Sequence, residues 1–427
     1  MRKTAWIYAA CLTALLSACG GGGDDDGDSA SPTQITPAPQ EAPAAGGPSA
    51  TPSDSAAPNA IPVTVGNAPG RPRNFPVVSV TVCAPGSNAG ASCATIDNVL
   101  LDTGSYGLRL YASAIPADTL AALEPQRIAG AQVASCAIFV DSHAWGTVRN
   151  ADVRMASQVA QNVPIHVWSD PGLPASSPAA CQLNSSMDTV ADLGGNGILG
   201  VGVAPADCPG CSIAASGQFY YSCTGAVCTP AIQPLANQIG NPVSRFADHN
   251  NGIVLQMEPI GSGGKSVATG TLVFGVDTAA NNVLAGRGAT VLRTDGSGGF
   301  EAVYKGVRMR AFTDSGSNGY FFGDADLPHS RISPDFYAPE ATQSLSLWVL
   351  DRNAAAGTTG AELRFDVANA DSLFATGNAA FNNLAGDVPG AFDLGLPFFY
   401  GRHVYYGLTG RASAGGGSGP YVGYAPQ

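Results

Sequence analysis

Two short segments of this chain share one pattern: an apolar approach, then Asp, Thr or Ser, Gly and Ser. The first is Leu100-Leu101-Asp102-Thr103-Gly104-Ser105. The second is Ala311-Phe312-Thr313-Asp314-Ser315-Gly316-Ser317. The core D-[ST]-G-[ST] is expected by chance ~0.07 times in a chain of this composition, so two intact copies constrain it far more than either alone. An Asp at a strand end, followed by Gly, sits in a tight turn whose backbone can closely approach a facing turn. The hydroxyl next to the Asp can donate to the opposing backbone, and the Ser after the Gly can donate to the outer carboxylate oxygen. Two such carboxylates facing one another cannot both be charged cheaply, so they share one proton and titrate as a pair. The charged member can then take a proton from water while the neutral one hydrogen-bonds a carbonyl. That is amide hydrolysis by general acid and base, with no metal, cofactor or covalent intermediate.

The rest of the chain reads as β. With 54 glycines and 31 prolines in 427 residues, a helical bundle is disfavoured and a turn-rich all-β protein fits. A hydrophobic fraction of 45% excludes wholesale disorder, and the length suffices for two lobes. Strands are expected at Val77–Cys83, Val99–Asp102, Leu108–Tyr111, Val163–Trp168, Gly270–Gly275, Arg308–Thr313 and through the aromatic run Phe398–Tyr406. A helix is expected over 231–247.

The Asp pair resembles the two signatures of the pepsin-like aspartic peptidases. Trp145-Gly146-Thr147 stands where that family carries an aromatic flap residue. Ile198-Leu199-Gly200 and Leu394-Gly395 resemble its two apolar-apolar-Gly segments, although the second slot also holds Asp393. A carboxylate there costs free energy unless it is paired. The resemblance implies an all-β, two-lobed pepsin-like fold with a central cleft and few short helices, its lobes at 73–276 and 277–427. It implies catalytic Asp102 and Asp314 supported by Thr103, Gly104, Ser105, Ser315, Gly316 and Ser317, with Trp145 on the flap. The phrases Leu101-Asp102-Thr103-Gly104-Ser105-Tyr106-Gly107-Leu108-Arg109 and Gly395-Leu396-Pro397-Phe398-Phe399-Tyr400-Gly401-Arg402 are similar to a family of bacterial exported lipoproteins known as a domain of unknown function.

The N-terminus agrees with export. Arg2 and Lys3 precede a short apolar run that ends Leu16-Ser17-Ala18-Cys19. This has the form of a signal peptide over 1–18 and resembles a lipobox, with Cys19 acylated as a membrane anchor. Residues 19–72, rich in Gly, Ala, Pro, Ser and Asp, read as a lipidated cysteine and a disordered tether. Cys83, Cys93, Cys136, Cys181, Cys208, Cys211, Cys223 and Cys228 remain, an even number that suggests four disulfides in an oxidising compartment. Cys83 with Cys93 and Cys136 with Cys181 are candidate pairs. The other four suit two bridges better than a zinc site, with connectivity open.

Several classes are disfavoured. A net charge of −12 with only Lys3, Lys265 and Lys305 as lysines makes nucleic acid a poor partner. The five histidines lack metal-ligand spacing, and no G-x-S-x-G elbow precedes a helix. The expectation is therefore an aspartic endopeptidase of the cell envelope, lipid-anchored to the outer membrane and acting on a peptide or protein. The alternative is a non-catalytic peptide- or ligand-binding lipoprotein of the same fold.

Overall fold

The computed structural model describes residues 49–87, 92–174 and 176–425. The expected signal peptide 1–18, Cys19 and the first part of the tether lie outside them. Strands dominate, and among the described residues none of the α-helices exceeds six residues. Most strands join one 17-stranded sheet, while residues between Phe300 and Leu394 build a separate seven-stranded sheet.

Each sheet contains the same unit. In the first, Cys93–Asp102 leads through the Asp102 turn into Tyr106–Tyr111. The strand Gly197–Val201 threads between them, parallel to the first and antiparallel to the second, with Gly200 opposite Asp102. In the second, Val307–Thr313 leads through the Asp314 turn to Tyr320–Phe321. Ala391–Leu394 threads between them in the same two senses, with Leu394 opposite Thr313. The glycine ending each apolar-apolar-Gly segment is dictated by contact. A Cβ on Gly200 would lie 2.5 Å from Tyr106 N, and one on Gly395 would lie 2.1 Å from Gly319 O. The third strand can pass beneath the turn only without a side chain there.

The apolar strand faces of both sheets meet in one core that runs from Ile61 and Leu101 to Phe392 and Tyr406. The last strands, His403–Gly407 and Tyr421–Tyr424, pair with each other. His403–Gly407 also pairs with Gly252–Met257 of the first sheet. A division at 276 thus separates the chain but not the sheets.

Three expectations are corrected. The tether does not run to 72: Ala60–Gly66 is a strand laid antiparallel on Val267–Phe274, with Ile61, Val63 and Val65 buried. A Pro- and Ala-rich window hid this short alternating run. The helix over 231–247 is two 3-10 turns, Leu235–Asn237 and Pro242–Arg245, because Pro234 and Pro242 deny a continuous helix its N–H donors. The aromatic run is a strand only from His403. Before it Leu396–Phe398, with Pro397 in its first turn, is a 3-10 turn.

All eight described cysteines are bridged. Cys83–Cys93 closes the hairpin of Pro76–Cys83 and Cys93–Asp102, and Cys136 joins Cys181. The remaining four pair as Cys208–Cys211 and Cys223–Cys228.

Candidate active site

The two turns bring Asp102 and Asp314 together. Both side chains are fully buried and act on one another, with the Asp314 carboxyl set against Gly104 of the Asp102 turn. Their surroundings match. Gly104 N–H donates to Asp102 Oδ1 at 2.8 Å and Gly316 N–H to Asp314 Oδ1 at 2.8 Å. Ser105 Oγ donates to Asp102 Oδ2, and Ser317 Oγ to Asp314 Oδ2 at 3.0 Å. The residues between cross over. Thr103 N–H donates to Ser315 Oγ at 3.1 Å, and Ser315 N–H donates to Thr103 Oγ1 at 2.9 Å. Ser315 Oγ in turn donates to Leu101 O at 2.8 Å. Neither turn can shift without breaking a bond to the other. Gly104 is needed for this approach, since a Cβ there would lie 2.6 Å from Asp314 Cγ.

The environments of the two acids differ. Burial raises the proton affinity of both. At Asp102 this is opposed by hydrogen bonds from Asp314, Ser105 and Gly104 and by the Arg109 guanidinium. At Asp314 burial is reinforced by the charges of Asp102 and Asp393, leaving it well above the usual carboxylate range. Burial thus favours the protonated form of both acids, and at Asp314 its acidic neighbours act in the same direction.

Two residues of the site were not recognised as such in the sequence. The Tyr406 hydroxyl lies 2.9 Å from Thr103 Oγ1 and 2.6 Å from Thr313 Oγ1, pinning both turns from below. In the sequence it belongs to an aromatic run that reads as core. The available signal was that a buried tyrosine hydroxyl needs a polar partner. Asp393, in the sequence only a costly residue in its slot, is buried and acts on Asp314.

A cavity of about 310 Å³ opens beside Ser105. Its floor includes Arg109, which pairs with Asp207 at 3.2 Å. Its other wall is the tip of the hairpin formed by Ala131–Ile138 and Ser142–Met155, through Ile138, Phe139 and Val140. The hairpin turns where Phe139 N–H bonds Ser142 O at 2.8 Å, so Phe139 is the aromatic it shows to the cavity. Trp145 lies down the return strand opposite Cys136, packed edge-on to Tyr221 at 5.2 Å, and does not line the cavity. Among the described residues no three His, Cys, Asp or Glu side chains are placed to hold a metal ion.

The chain belongs to the family described as "Protein of unknown function (DUF3443)", whose profile matches residues 55–424. No curated protein matches it. Among solved structures it is similar to the aspartic proteinase from Irpex lacteus, with TM-score 0.48 and 16% identity over 86% of this chain and 97% of that one.

Proposed function

We propose that this protein is an aspartic endopeptidase, anchored in the bacterial envelope by a lipid on Cys19, that cleaves peptide bonds with Asp102 and Asp314. The observation that carries the reading is the buried pair of carboxyls on two crossed, matching turns. Asp102, as carboxylate, takes a proton from a water whose oxygen attacks the peptide carbonyl carbon. Asp314 gives its proton to the carbonyl oxygen, forming a neutral gem-diol. Asp102 then passes its proton to the amide nitrogen as the C–N bond breaks. Asp314 recovers a proton from a diol hydroxyl, leaving acid and amine products. The apolar cavity beside Ser105 is placed to receive a substrate side chain.

The test is digestion of a peptide library between about pH 3 and 7 by wild type, Asp102→Asn and Asp314→Asn. Cleavage by wild type, falling at least ~10²-fold in each variant with the fold intact by circular dichroism, supports the reading. A folded wild type that cleaves nothing but retains peptides would favour a binding protein instead.

A further inference from the structure

The cavity of about 310 Å³ beside Ser105 carries an ion pair that the cleavage chemistry does not use. Arg109 and Asp207 both line it, 3.2 Å apart, with side chains only 6% and 5% exposed. Around them the lining is largely apolar, through Ile138, Phe139, Leu183 and Phe219. Other buried groups hold the pair in place. Arg109 Nη1 donates to His166 Nδ1 at 2.9 Å, a nitrogen that also accepts from Trp168 Nε1 at 3.0 Å, and both rings are fully buried. Arg109 Nη2 also reaches Tyr106 O at 3.4 Å. The Tyr220 hydroxyl donates to Asp207 Oδ1 and accepts from Ile239 N–H at 2.7 Å.

These bonds do not exhaust the pair. A guanidinium has five N–H donors. Among the described residues its hydrogen bonds use Nη1 and Nη2, and none uses Nε. Each Asp207 oxygen accepts one side-chain bond, and a carboxylate oxygen can accept two. An apolar cavity thus holds an unused donor and an unused acceptor on adjacent side chains. A carboxamide matches both at once: its C=O accepts from Arg109 and its NH2 donates to Asp207. A carboxylate matches Arg109 alone and sets a second acid beside Asp207. An aliphatic tip matches neither and leaves both groups cut off from water.

We propose that this cavity is a specificity pocket for a glutamine side chain of the substrate, its amide held by Arg109 and Asp207 and its methylenes by the apolar walls. Glutamine suits it better than asparagine because the ion pair lies at the floor, and the second methylene spans the walls above. The substrate part of this inference rests on the peptidase reading, and the chemistry of the pocket is tested apart from it.

Peptide libraries that vary each position around the cleaved bond are digested about one pH unit above the ordinary Glu value of ~4.3, where a free Glu is charged. One position should favour Gln over both Glu and Leu by about tenfold or more in kcat/KM, since a site built for polar groups rejects a tip that leaves them unpaired. Asp207→Asn, which keeps the shape and removes the charge, should bring the Gln-to-Glu ratio at that position close to one. A substrate-side comparison needs no variant. The glutamate γ-methyl ester keeps the carbonyl and lacks the N–H, so wild type should cut it about tenfold more slowly than Gln. Cleavage with no position preferring Gln, an ester cut as fast as Gln, or a ratio unmoved in a folded Asp207→Asn overturns the inference and leaves the peptidase reading standing. Should Asp207→Asn not fold, the ester comparison decides. Should wild type cleave nothing, the peptidase reading fails and binding judges the pocket. Fluorescence anisotropy of the same labelled peptides then keeps the Gln preference, and equal affinity for Gln, Glu and Leu peptides overturns the inference.

Discussion

Tyr406 has one hydroxyl in contact with the turn of each half, and its ring is part of the common core. Tyr406→Phe keeps the ring and leaves two buried threonine hydroxyls with one partner fewer. Loss of a buried hydrogen-bonding group typically costs about 1–3 kcal/mol. We therefore expect a lower denaturation midpoint in urea with an unchanged slope, and weaker catalysis because the Asp spacing is no longer pinned. A Phe variant as stable as wild type would show that the Ser315–Thr103 bonds hold the turns alone. Asn74 is a second such residue. Its Nδ2 donates to Asn318 O at 2.8 Å and Phe381 O at 2.9 Å, while its Oδ1 accepts from Phe381 N at 2.7 Å and Tyr400 Oη at 3.0 Å. Asn74→Ala orphans several buried groups together and should cost about 2–4 kcal/mol, more than Tyr406→Phe.

Among the elements, the threaded strands are the least tolerant. Gly395→Ala places a methyl 2.1 Å from Gly319 O, and backbone on both sides leaves it nowhere to move. Such overpacking typically costs about 1–3 kcal/mol and occasionally more. The expected result is poor soluble yield, or a folded protein whose Asp314 turn is displaced and whose cleavage is lost. Gly261→Ala, with nothing within 4 Å, is the control and should behave as wild type. These elements also show what could be read in advance. The strands ending at Asp102 and Thr313 were legible because apolar, β-branched runs stop at a turn signature. The hairpin tip was not, because the position of Phe139 and Trp145 along it depends on where the turn closes, and no Gly or Asn-Gly marks that turn. The strand Ala60–Gly66 was invisible because most of its pairing is with Val267–Phe274, about 200 residues away, and only Thr64 and Val65 pair with the nearby Pro76–Cys83.

For the whole molecule, pH acts on two opposed sets of acids. Asp102, Asp314, Asp393 and Asp207 are raised by burial, and Asp141 is raised to about 6. The stability tied to this set is fully present below the unfolded value of ~3.9 and is lost as pH climbs through the raised values. Asp170, Asp277, Asp295 and Asp324 are lowered by hydrogen bonds and cations that outweigh their burial, and their contribution disappears as pH falls through those values. Thermal melts should thus peak in the weakly acid range and decline on both sides. Replacing Asp141 with Asn should flatten the decline near pH 6. A melting temperature that keeps rising to neutral pH would mean that the buried acids are ionised in the fold.

The return of His403–Gly407 to Gly252–Met257 sets the order in which the molecule can assemble. A chain emerging residue by residue has no closing strand for its first sheet until almost its last residues are out. Until then Gly252–Met257 offers an open, fully buried-type edge to any other extended chain. Half-made copies are therefore the aggregation-prone species, and rapid, complete delivery of the polypeptide protects it.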